Sequence, residues 1–403
     1  MKEMVPNTSQ YKLAIVTALP KEFAAVEAML DQRHDVAIPG DPVRYTVGII
    51  DPHPVVVTLL SKMGNNPATA VSSNLLRSFP NISDVIMVGI AGGVPNPGNT
   101  EDHVRLGDIV VSMDAGVVQF DFGKLEQIVH DGEPARKHFT IRASDPPPSS
   151  RLQQAVRIQE ARRVRGERPW EGYIARATVL ENAARPSGAT DILYDSQVPN
   201  KIIPHPADAT RVPEQPKLHY GLIGSSNMLL KEPQLRDRLR DEYKIRAIEM
   251  EGSGIATSTW MSGTTGYLLI RGICDYCDSH KNDVWQGYAA AVAAAYVRAL
   301  IESIPVSTTT SATTQLPTSQ LSELRRVLID FFNLDELKLL CADVEQVLRN
   351  DGINLRINLD IVGGDGQEIR CHNLITYLDR RGYLQYLVRA VCRARPGMDL
   401  LCS

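Results

Sequence analysis

Apolar and polar residues alternate along the first 300 residues in blocks that predict strands and helices in turn. Short, continuous apolar runs separated by helical patterns are typical of a parallel sheet covered on both faces, because such strands are buried on both sides. Helical patterns cover roughly residues 67–79, 232–243 and 285–303. The strand-like runs are LAIVTAL (13–19), VVVTLL (55–60), DVIMVGI (84–90), DIVVSM (108–113), HYGLIGS (219–225), IRAIEM (245–250) and TGYLLIRGI (265–273). The pattern predicts one α/β domain of about 300 residues.

The pattern changes twice outside these blocks. Residues 125–216 are the least regular part of the domain, and we interpret them as an insertion of loops with one or two helices, including a basic amphipathic helix around 151–165. Residues 306–320, VSTTTSATTQLPTSQ, are almost entirely polar and predict a linker. Beyond it, apolar residues recur every three or four positions, which predicts a small helical bundle. The predicted organisation is therefore a domain at 1–305, a linker at 306–320 and a helical domain at 321–403.

Composition narrows the class of protein. Apolar residues make up 43% of the chain, charged residues 22%, and the formal net charge is −4, without a basic block. These values favour an ordinary globular protein and exclude an obvious nucleic-acid groove or membrane surface. The N-terminus lacks the features of a signal peptide, and six irregularly spaced cysteines fit reduced thiols, so we expect a cytoplasmic protein.

Acidic residues follow two of the predicted strands. Glu249 and Glu251 end the run IRAIEMEGSG, and Asp275 ends IRGICDYCD. Ligands of α/β sheets bind beyond the carboxyl ends of strands, so these acids are candidates for chemistry. The alternative is that they cap the following helices, and from position alone the two interpretations weigh equally. The glycine-rich run at 90–98 offers backbone N–H groups to an oxygen-rich ligand or forms a tight turn.

Seven ordered segments resemble the nucleoside phosphorylase and nucleosidase superfamily, and they span nearly all of residues 11–305. The segments are YKLAIVTALPKEFAAVEAML, IMVGIAGGVP, VRLGDIVVS, GVVQFDFGK, HYGLIGSSN, AIEMEGSGIA and RGICDYCDSHKND. Within this superfamily the chain is most similar to the nucleosidase-like domains of fungal and bacterial immune-receptor-type proteins. The resemblance implies a mixed central sheet flanked by helices, a purine substrate, and neither a cofactor nor a catalytic metal.

The resemblance also implies roles for individual residues. Asp275 matches the general acid that protonates N7 of the leaving purine, which requires it to hold a proton near neutral pH. Glu251 matches the carboxylate that binds the ribose hydroxyls, with Met250 beside the sugar, and Glu22 matches the acid that orients the attacking water. The segment expected to pack on the base comprises Ser225, Ser226, Asn227, Met228, Leu229 and Leu230. The expected glycine-rich wall comprises Ala91, Gly92 and Gly93.

The same comparison favours water over phosphate as the nucleophile. Phosphorylases of this fold hold phosphate with a Gly-Asp-Pro-x-Arg turn after the first strand and with a nearby arginine. This chain has Glu22 in that turn, where a carboxylate repels phosphate, and Met87 near the expected arginine. The sequence Gly40-Asp41-Pro42-Val43-Arg44 has the phosphate pattern but follows the first helix, so we interpret it as a loop. Ile90 replaces the hydroxyl residue usual before Ala-Gly-Gly, which leaves the ribose contacts open.

Four basic residues have two interpretations. His280 and Lys281 follow the general acid and would meet the phosphates of a nucleotide, or they form a solvated loop or a subunit contact. Lys62 and Lys124 carry the same alternatives. Cys274 and Cys277 form a CxxC sequence without a second pair at zinc spacing, so we interpret them as packing thiols instead of a metal or redox site.

The helical domain resembles the small death-like, effector-associated domains of bacterial conflict systems. The resemblance lies in LRRVLIDFFNLDELKLLC and LITYLDRRGYLQYLVRAVCRARP and implies self-assembly or recruitment of a protein partner. A fused recruitment domain favours a regulated immune effector that cleaves ATP or related adenine nucleotides. The alternatives are a methylthioadenosine/S-adenosylhomocysteine nucleosidase, a purine nucleoside phosphorylase, and a non-catalytic purine-sensing scaffold. Family members commonly build their sites at dimer interfaces, so we expect a homo-oligomer.

Overall fold

The structure is a computed structural model, and it divides the chain into two compact units, residues 1–306 and 307–403. Of the predicted linker, residues 306–317 lie outside the described part of the chain. The structure describes residues 7–128, 136–141, 145–263, 265–305, 318–350, 355, 357, 359, 366–379 and 383–395.

The first unit contains strands and helices in mixed order. Its strands are β1 (Leu13–Thr17), β2 (Asp31–Ala37), β3 (Arg44–Ile50), β4 (His53–Leu59), β5 (Asp84–Gly93), β6 (Ile109–Gln119), β7 (Gly123–Ile128), β8 (Arg136–Ile141), β9 (Leu193–Tyr194), β10 (Ile202–Ile203), β11 (Leu218–Ser225), β12 (Ile245–Glu249) and β13 (Gly266–Asp275). Its helices are α1 (Pro20–Glu27), α2 (Asn65–Ser78), α3 (Ser150–Val164), α4 (Pro169–Thr178), α5 (Pro233–Tyr243), α6 (Gly252–Ser262) and α7 (Gln286–Glu302).

Nine strands form the central sheet in the order β12-β11-β6-β13-β5-β1-β4-β3-β2. β4, β1, β5 and β13 run parallel, as their apolar patterns predict. β6 pairs with β13 in the antiparallel direction, and β2 and β3 form antiparallel pairs at the other side. The parallel pairing predicted from the apolar runs is therefore present in only part of the sheet, because a buried apolar run has the same composition in either direction. The expectation of a mixed central sheet flanked by helices is confirmed.

β12 also closes one half of the sheet on itself. Besides β11, it pairs with the end of β5, where Ala247 and Ile248 lie opposite Gly93 and Gly92. β5, β13, β6, β11 and β12 therefore form a closed ring of five strands, like a small barrel. Because β12 is antiparallel to β5, this closure brings the acids that follow β12 onto the middle of β13, instead of onto a shared carboxyl edge.

Helix α7 packs against the sheet along its whole length. Residues 287–301 of this alanine-rich helix are all buried. At Gly272 of β13, an added Cβ would collide with the backbone of Ala289, so glycine at this position permits the close approach of helix and strand. The helix lies directly behind the strand that carries Asp275 and fixes that strand's depth.

The predicted insertion at 125–216 contains two helices and four short strands among its described residues. α3 begins at Ser150, where the Ser149 hydroxyl caps it by accepting a hydrogen bond from the backbone N–H of Leu152. Farther along, Asp191 accepts hydrogen bonds from Arg105 and from the hydroxyl of Tyr276. Since Tyr276 follows Asp275 directly, the insertion anchors the end of β13.

The second unit contains four described helices: α8 (Thr318–Phe331), α9 (Leu334–Asn350), α10 (Gln367–Asp379) and α11 (Leu384–Ala394). Its core is aliphatic and includes Leu324, Leu328, Leu337, Val344, Leu374 and Leu387. α9 begins with a reciprocal cap, in which Asn333 Oδ1 accepts from the N–H of Glu336 and Glu336 Oε2 accepts from the N–H of Asn333. α8 begins at Thr318, three residues before the predicted start of the helical domain at residue 321. Among the described helices of the whole chain, none is long and apolar enough to span a membrane.

Candidate active site

Glu22 is fixed by backbone N–H groups in the first turn of α1. Its Oε2 accepts hydrogen bonds from Ala18 (2.8 Å) and Leu19 (2.9 Å), and its Oε1 accepts one from Ile90 (2.8 Å) on β5. The side chain is 2% exposed. Three N–H donors and the positive end of α1 hold the carboxylate in one orientation.

Arg271 joins Glu22 to the acids that follow β12. It is completely buried in the middle of β13, its Nη2 contacts the carboxylate of Glu249, and the same atom lies 3.5 Å from Oε2 of Glu251. At Gly89, an added Cβ would lie 2.5 Å from both Arg271 Nη1 and Glu22 Oε1. Glycine at this position therefore lets the guanidinium and the Glu22 carboxylate meet over β5.

The two glutamates at the end of β12 make different contacts. Glu249 accepts hydrogen bonds from the N–H groups of Glu251 (3.0 Å) and Gly252 (3.0 Å), so it caps helix α6. Glu251 accepts a bond of 3.2 Å from the N–H of Gly64, which precedes α2. The capping interpretation thus describes Glu249, whereas the Glu251 carboxylate makes few internal bonds and remains the better ligand-binding group.

The charges of this cluster do not balance. Three buried carboxylates, those of Glu22, Glu249 and Glu251, surround one guanidinium. Burial raises the pKa of Glu251 to about 7 against the opposing effect of Arg271, and burial also raises the pKa of Glu22. The cluster therefore takes up a proton close to neutral pH.

Arg271 is a functional residue that the sequence interpretation missed. Its Nε and Nη1 atoms are buried and have no hydrogen-bond partner among the described residues, so they can donate to a ligand. The signal was present in TGYLLIRGICD, where one arginine interrupts a strand of apolar residues. A buried arginine needs acidic partners, and in this chain Glu249 and Glu251 supply them.

Asp275 lies in a second cluster at the end of β13. Its Oδ1 accepts a hydrogen bond of 2.9 Å from the N–H of Cys277, and its Oδ2 contacts the ammonium of Lys281 and lies 3.1 Å from Cys274 Sγ. Burial lowers the pKa of Lys281, but the negative charge of Asp275 raises it, and the net shift of the pKa is upward. Asp275, the general acid expected from the resemblance, is thus paired with a cation in the structure.

Strand β5 connects the two clusters. Gly89 contacts the Glu22–Arg271 pair, and an added Cβ on Gly92 would lie 2.9 Å from Asp275 Oδ1. Three residues along an extended strand span about 10 Å. Ala91, Gly92 and Gly93 belong to β5 and pair with β12 and β13, so the strand extends into the first part of the glycine-rich run. Their small size gives the acids access to the strand.

The segment after β11 lies beside Gly64 but points in two directions. Ser225 is buried and donates to Asn65 Oδ1 (3.0 Å), and Asn227 Oδ1 accepts from the N–H of Asn65 (3.1 Å). Met228 and Leu229 are 60% and 55% exposed. Ser226 is also buried, whereas Leu230 and Met250 are half-buried. The segment therefore presents an apolar edge next to the Glu251 cluster. Asn65, which aligns the segment with α2, was not predicted.

His280 is engaged by the insertion. Its ring stacks on Tyr194 with centroids 3.5 Å apart, and its Nε2 lies 3.0 Å from Asn200 Oδ1. His280 and Lys281 line a cavity of about 210 Å³ that Asp275 also borders. Burial raises the pKa of the Cys274 and Cys277 thiols well above the ordinary value, as expected for packing thiols.

The Gly40–Arg44 turn has a structural role. The carboxylate of Asp41 accepts hydrogen bonds from the N–H of Val43 (2.9 Å) and from the hydroxyls of Tyr45 (2.7 Å) and Ser78. Met87 is completely buried within β5. Asp41 is thus occupied by the turn and by α2.

Several known proteins are similar to this chain in sequence. A nucleotide-binding leucine-rich repeat (NLR)-like protein of Hyaloscypha variabilis is 34% identical over 307 residues, which cover 72% of this chain and 29% of that protein. A 5′-methylthioadenosine/S-adenosylhomocysteine nucleosidase of Mycobacterium bovis is 25% identical over 73% of this chain and 98% of its own. The ATP nucleosidase Cap17 of Escherichia coli is 25% identical over 70% of this chain and 49% of its own.

The NLR-like protein and Cap17 are much longer than the region they share with this chain, which spans 29% and 49% of their lengths. The sequence model of the Phosphorylase superfamily matches residues 12–303. That range contains both acidic clusters and the strand that connects them. The chain therefore belongs to the Phosphorylase superfamily.

Proposed function

We propose that residues 1–305 form a purine nucleosidase that hydrolyses the N-glycosidic bond of adenine nucleotides, with ATP the leading substrate. The observation that carries the proposal is the placement of Glu22 and Glu251 around the buried Arg271, with Asp275 at the end of β13, beside the β5 residue Gly92. Such an arrangement supplies acids at both ends of a nucleoside. One group activates water at the sugar, and another protonates the base.

The reaction proceeds through an oxocarbenium-like ribosyl transition state. Glu251 accepts hydrogen bonds from the ribose hydroxyls, and Glu22 accepts the proton of the water that attacks C1′. The glycosidic C–N bond breaks as the C–O bond forms, and its electron pair passes into the purine. Asp275 delivers a proton to N7, so adenine leaves as a neutral molecule. Arg271 keeps the acids in position and balances part of their charge.

Water suits this site better than phosphate. A phosphate ion at Glu22 would meet three buried carboxylates and only one guanidinium, and the backbone donors of that turn are already bound to Glu22. By Coulomb's law, the repulsion between like charges in close contact in a buried site costs on the order of several kcal/mol. The products are therefore adenine and a ribose phosphate.

The choice of ATP rests on the relatives and on the second unit. The relative from Escherichia coli is an ATP nucleosidase, and that from Hyaloscypha variabilis is an NLR-like protein. We propose that residues 321–403 are a death-like, effector-associated domain that self-assembles or recruits a protein partner. Together they support a regulated immune effector, active as a homo-oligomer, that depletes a nucleotide pool.

A second candidate is a methylthioadenosine/S-adenosylhomocysteine nucleosidase. The Mycobacterium bovis relative has this activity in its name and is matched over almost its whole length. The exposed apolar side chains of Met63 and Leu229 near the Glu251 cluster would suit a thioether. This candidate uses the same acids and differs only in the 5′ group.

A substrate panel tests the proposal. Purified protein is incubated with ATP, adenosine, methylthioadenosine and S-adenosylhomocysteine, and adenine is measured by chromatography. Release from ATP supports the leading proposal, whereas release from the thionucleosides alone replaces it with the second candidate. Asp275→Asn should abolish release. Purine binding without any release, by both wild-type protein and variant, would identify a purine-sensing scaffold.

A further inference from the structure

The sugar-binding cluster repels anions. It contains the carboxylates of Glu22, Glu249 and Glu251 and the single guanidinium of Arg271, all buried. A substrate with phosphates on its ribose therefore needs cations close to the sugar but outside this cluster. The chain offers lysines and a histidine on the neighbouring loops, and their contacts separate the available cations from those already engaged.

The two basic residues that follow Asp275 are engaged. Lys281 contacts the carboxylate of Asp275, which neutralises its charge. The His280 ring is stacked on Tyr194 and contacts Asn200. A phosphate that bound Lys281 would have to break a mostly buried ion pair, and it would approach Asp278, which borders the same cavity.

Lys21, in the first turn of α1, and Lys62, in the loop before α2, lie on the two segments that border the sugar-binding cluster. Lys21 directly precedes Glu22, and its ammonium donates a hydrogen bond of 2.6 Å to the neutral amide of Gln286. Lys62 is exposed and lies two residues before Gly64, whose N–H donates to Glu251. Within the described part of the chain, neither ammonium forms an ion pair, so both charges remain available to a ligand.

We propose that Lys21 and Lys62 form the binding site for the 5′-phosphates of a nucleotide substrate. The inference rests on the proposed function, because it places the ribose between Glu22 and Glu251. In this arrangement we place the 5′ carbon of that ribose between the first turn of α1 and the loop before Gly64, because these segments border the cluster at Glu22 and Glu251. Exposed lysines with long, flexible side chains can follow a phosphate chain without entering the acidic cluster. Lys21 and Lys62 thus select 5′-phosphorylated purines over neutral nucleosides.

Matched lysine variants test the site. Lys21→Met, Lys62→Met and the double variant are compared with Lys12→Met, which removes an exposed lysine at the opposite end of β1. Adenine release is measured with ATP, AMP and adenosine at constant ionic strength. Each site variant should lower kcat/KM for ATP about tenfold, the value of one charge-assisted contact. Values for adenosine, and for ATP with Lys12→Met, should stay within about twofold.

A binding measurement separates this inference from the proposed function. The Kd values of ATP and adenosine are measured by calorimetry on Glu22→Gln protein, with and without the two lysine substitutions. The double substitution should weaken ATP binding about a hundredfold and leave adenosine binding unchanged. Equal losses for both ligands, or no loss for ATP, would overturn the assignment of Lys21 and Lys62. Absence of turnover by wild-type protein would overturn the proposed function alone.

Discussion

Lys281 places its ammonium against Oδ2 of Asp275, the oxygen that lies beside Cys274 in the buried cluster at the end of β13. The pairing joins the proposed general acid to a cation six residues farther along the chain. The Asp275 carboxyl therefore has an ammonium partner in the structure. The proposed proton donation from Asp275 to a purine would therefore take place beside the ammonium of Lys281.

Lys281→Met should change the pH dependence of adenine release. Loss of the neighbouring positive charge favours the protonated form of Asp275, so the alkaline limb of the kcat profile should move upward by about one pH unit. The profile is measured with saturating ATP. Lys281→Arg keeps the charge and should leave the limb in place. An unchanged limb in Lys281→Met would show that the ion pair does not control the acid.

The sequence could not reveal this ion pair, although it identified both partners. Spacing along a loop does not determine where a side chain points, and His280, the neighbour of Lys281, turns to Tyr194 instead. The same limit explains the closure of β12 on β5, since buried runs such as IRAIEM carry no sign of strand direction. Ordered motifs were sufficient for the superfamily, because they depend on residue identity along the chain.

Glu249 and Arg271 show a second limit. A motif of two glutamates after a strand suggested chemistry and capping equally, and only the hydrogen bonds from Glu251 and Gly252 identify Glu249 as the cap. The sequence does not indicate that Arg271 is the partner of these acids, because it lies far from both of them along the chain. Which charges neutralise one another in a buried site depends on the three-dimensional fold and not on spacing along the chain.

Glu22→Gln should distinguish hydrolysis from phosphorolysis. If Glu22 accepts the proton of the attacking water, the substitution lowers kcat for adenine release about a hundredfold or more in phosphate-free buffer. Wild-type activity should not depend on added phosphate. Glu27 ends the same helix and contacts Arg33 and Thr46, so the control substitution Glu27→Gln should have little effect on kcat. Activity that requires phosphate and rises in Glu22→Gln would establish a phosphorylase.

Glu251→Gln should remove a pH dependence of stability. Burial raises the pKa of Glu251 to about 7 from an ordinary value of 4.5, so the folded state holds a proton that the unfolded state has lost. The stability that comes from this bound proton is fully present below pH 4.5 and is lost as the pH rises through about 7. The loss is about 3 kcal/mol if the shift acts in full.

Tryptophan fluorescence during urea unfolding measures this effect. All three tryptophans, Trp170, Trp260 and Trp285, lie in the first unit, so the signal reports on that unit. Between pH 5 and pH 8, wild-type protein should lose stability relative to Glu251→Gln, with the gap constant above about pH 8. A gap that is independent of pH would show that Glu251 is ionised throughout this range.

Gly89→Ala should damage the site without removing any charged group. The added Cβ would lie 2.5 Å from both Arg271 Nη1 and Glu22 Oε1, so one of these side chains must move. Because both are buried and held by other contacts, we expect a loss of about 1–3 kcal/mol in the free energy of unfolding and at least a tenfold fall in kcat. Gly172→Ala is the matched control, since an added Cβ there meets nothing within 4 Å and lies in helix α4. It should leave kcat unchanged and stabilise the fold by up to about 1 kcal/mol. Full activity in Gly89→Ala would mean that Glu22 and Arg271 need not meet over β5, and the assignment of Glu22 to the attacking water would then lose its structural basis.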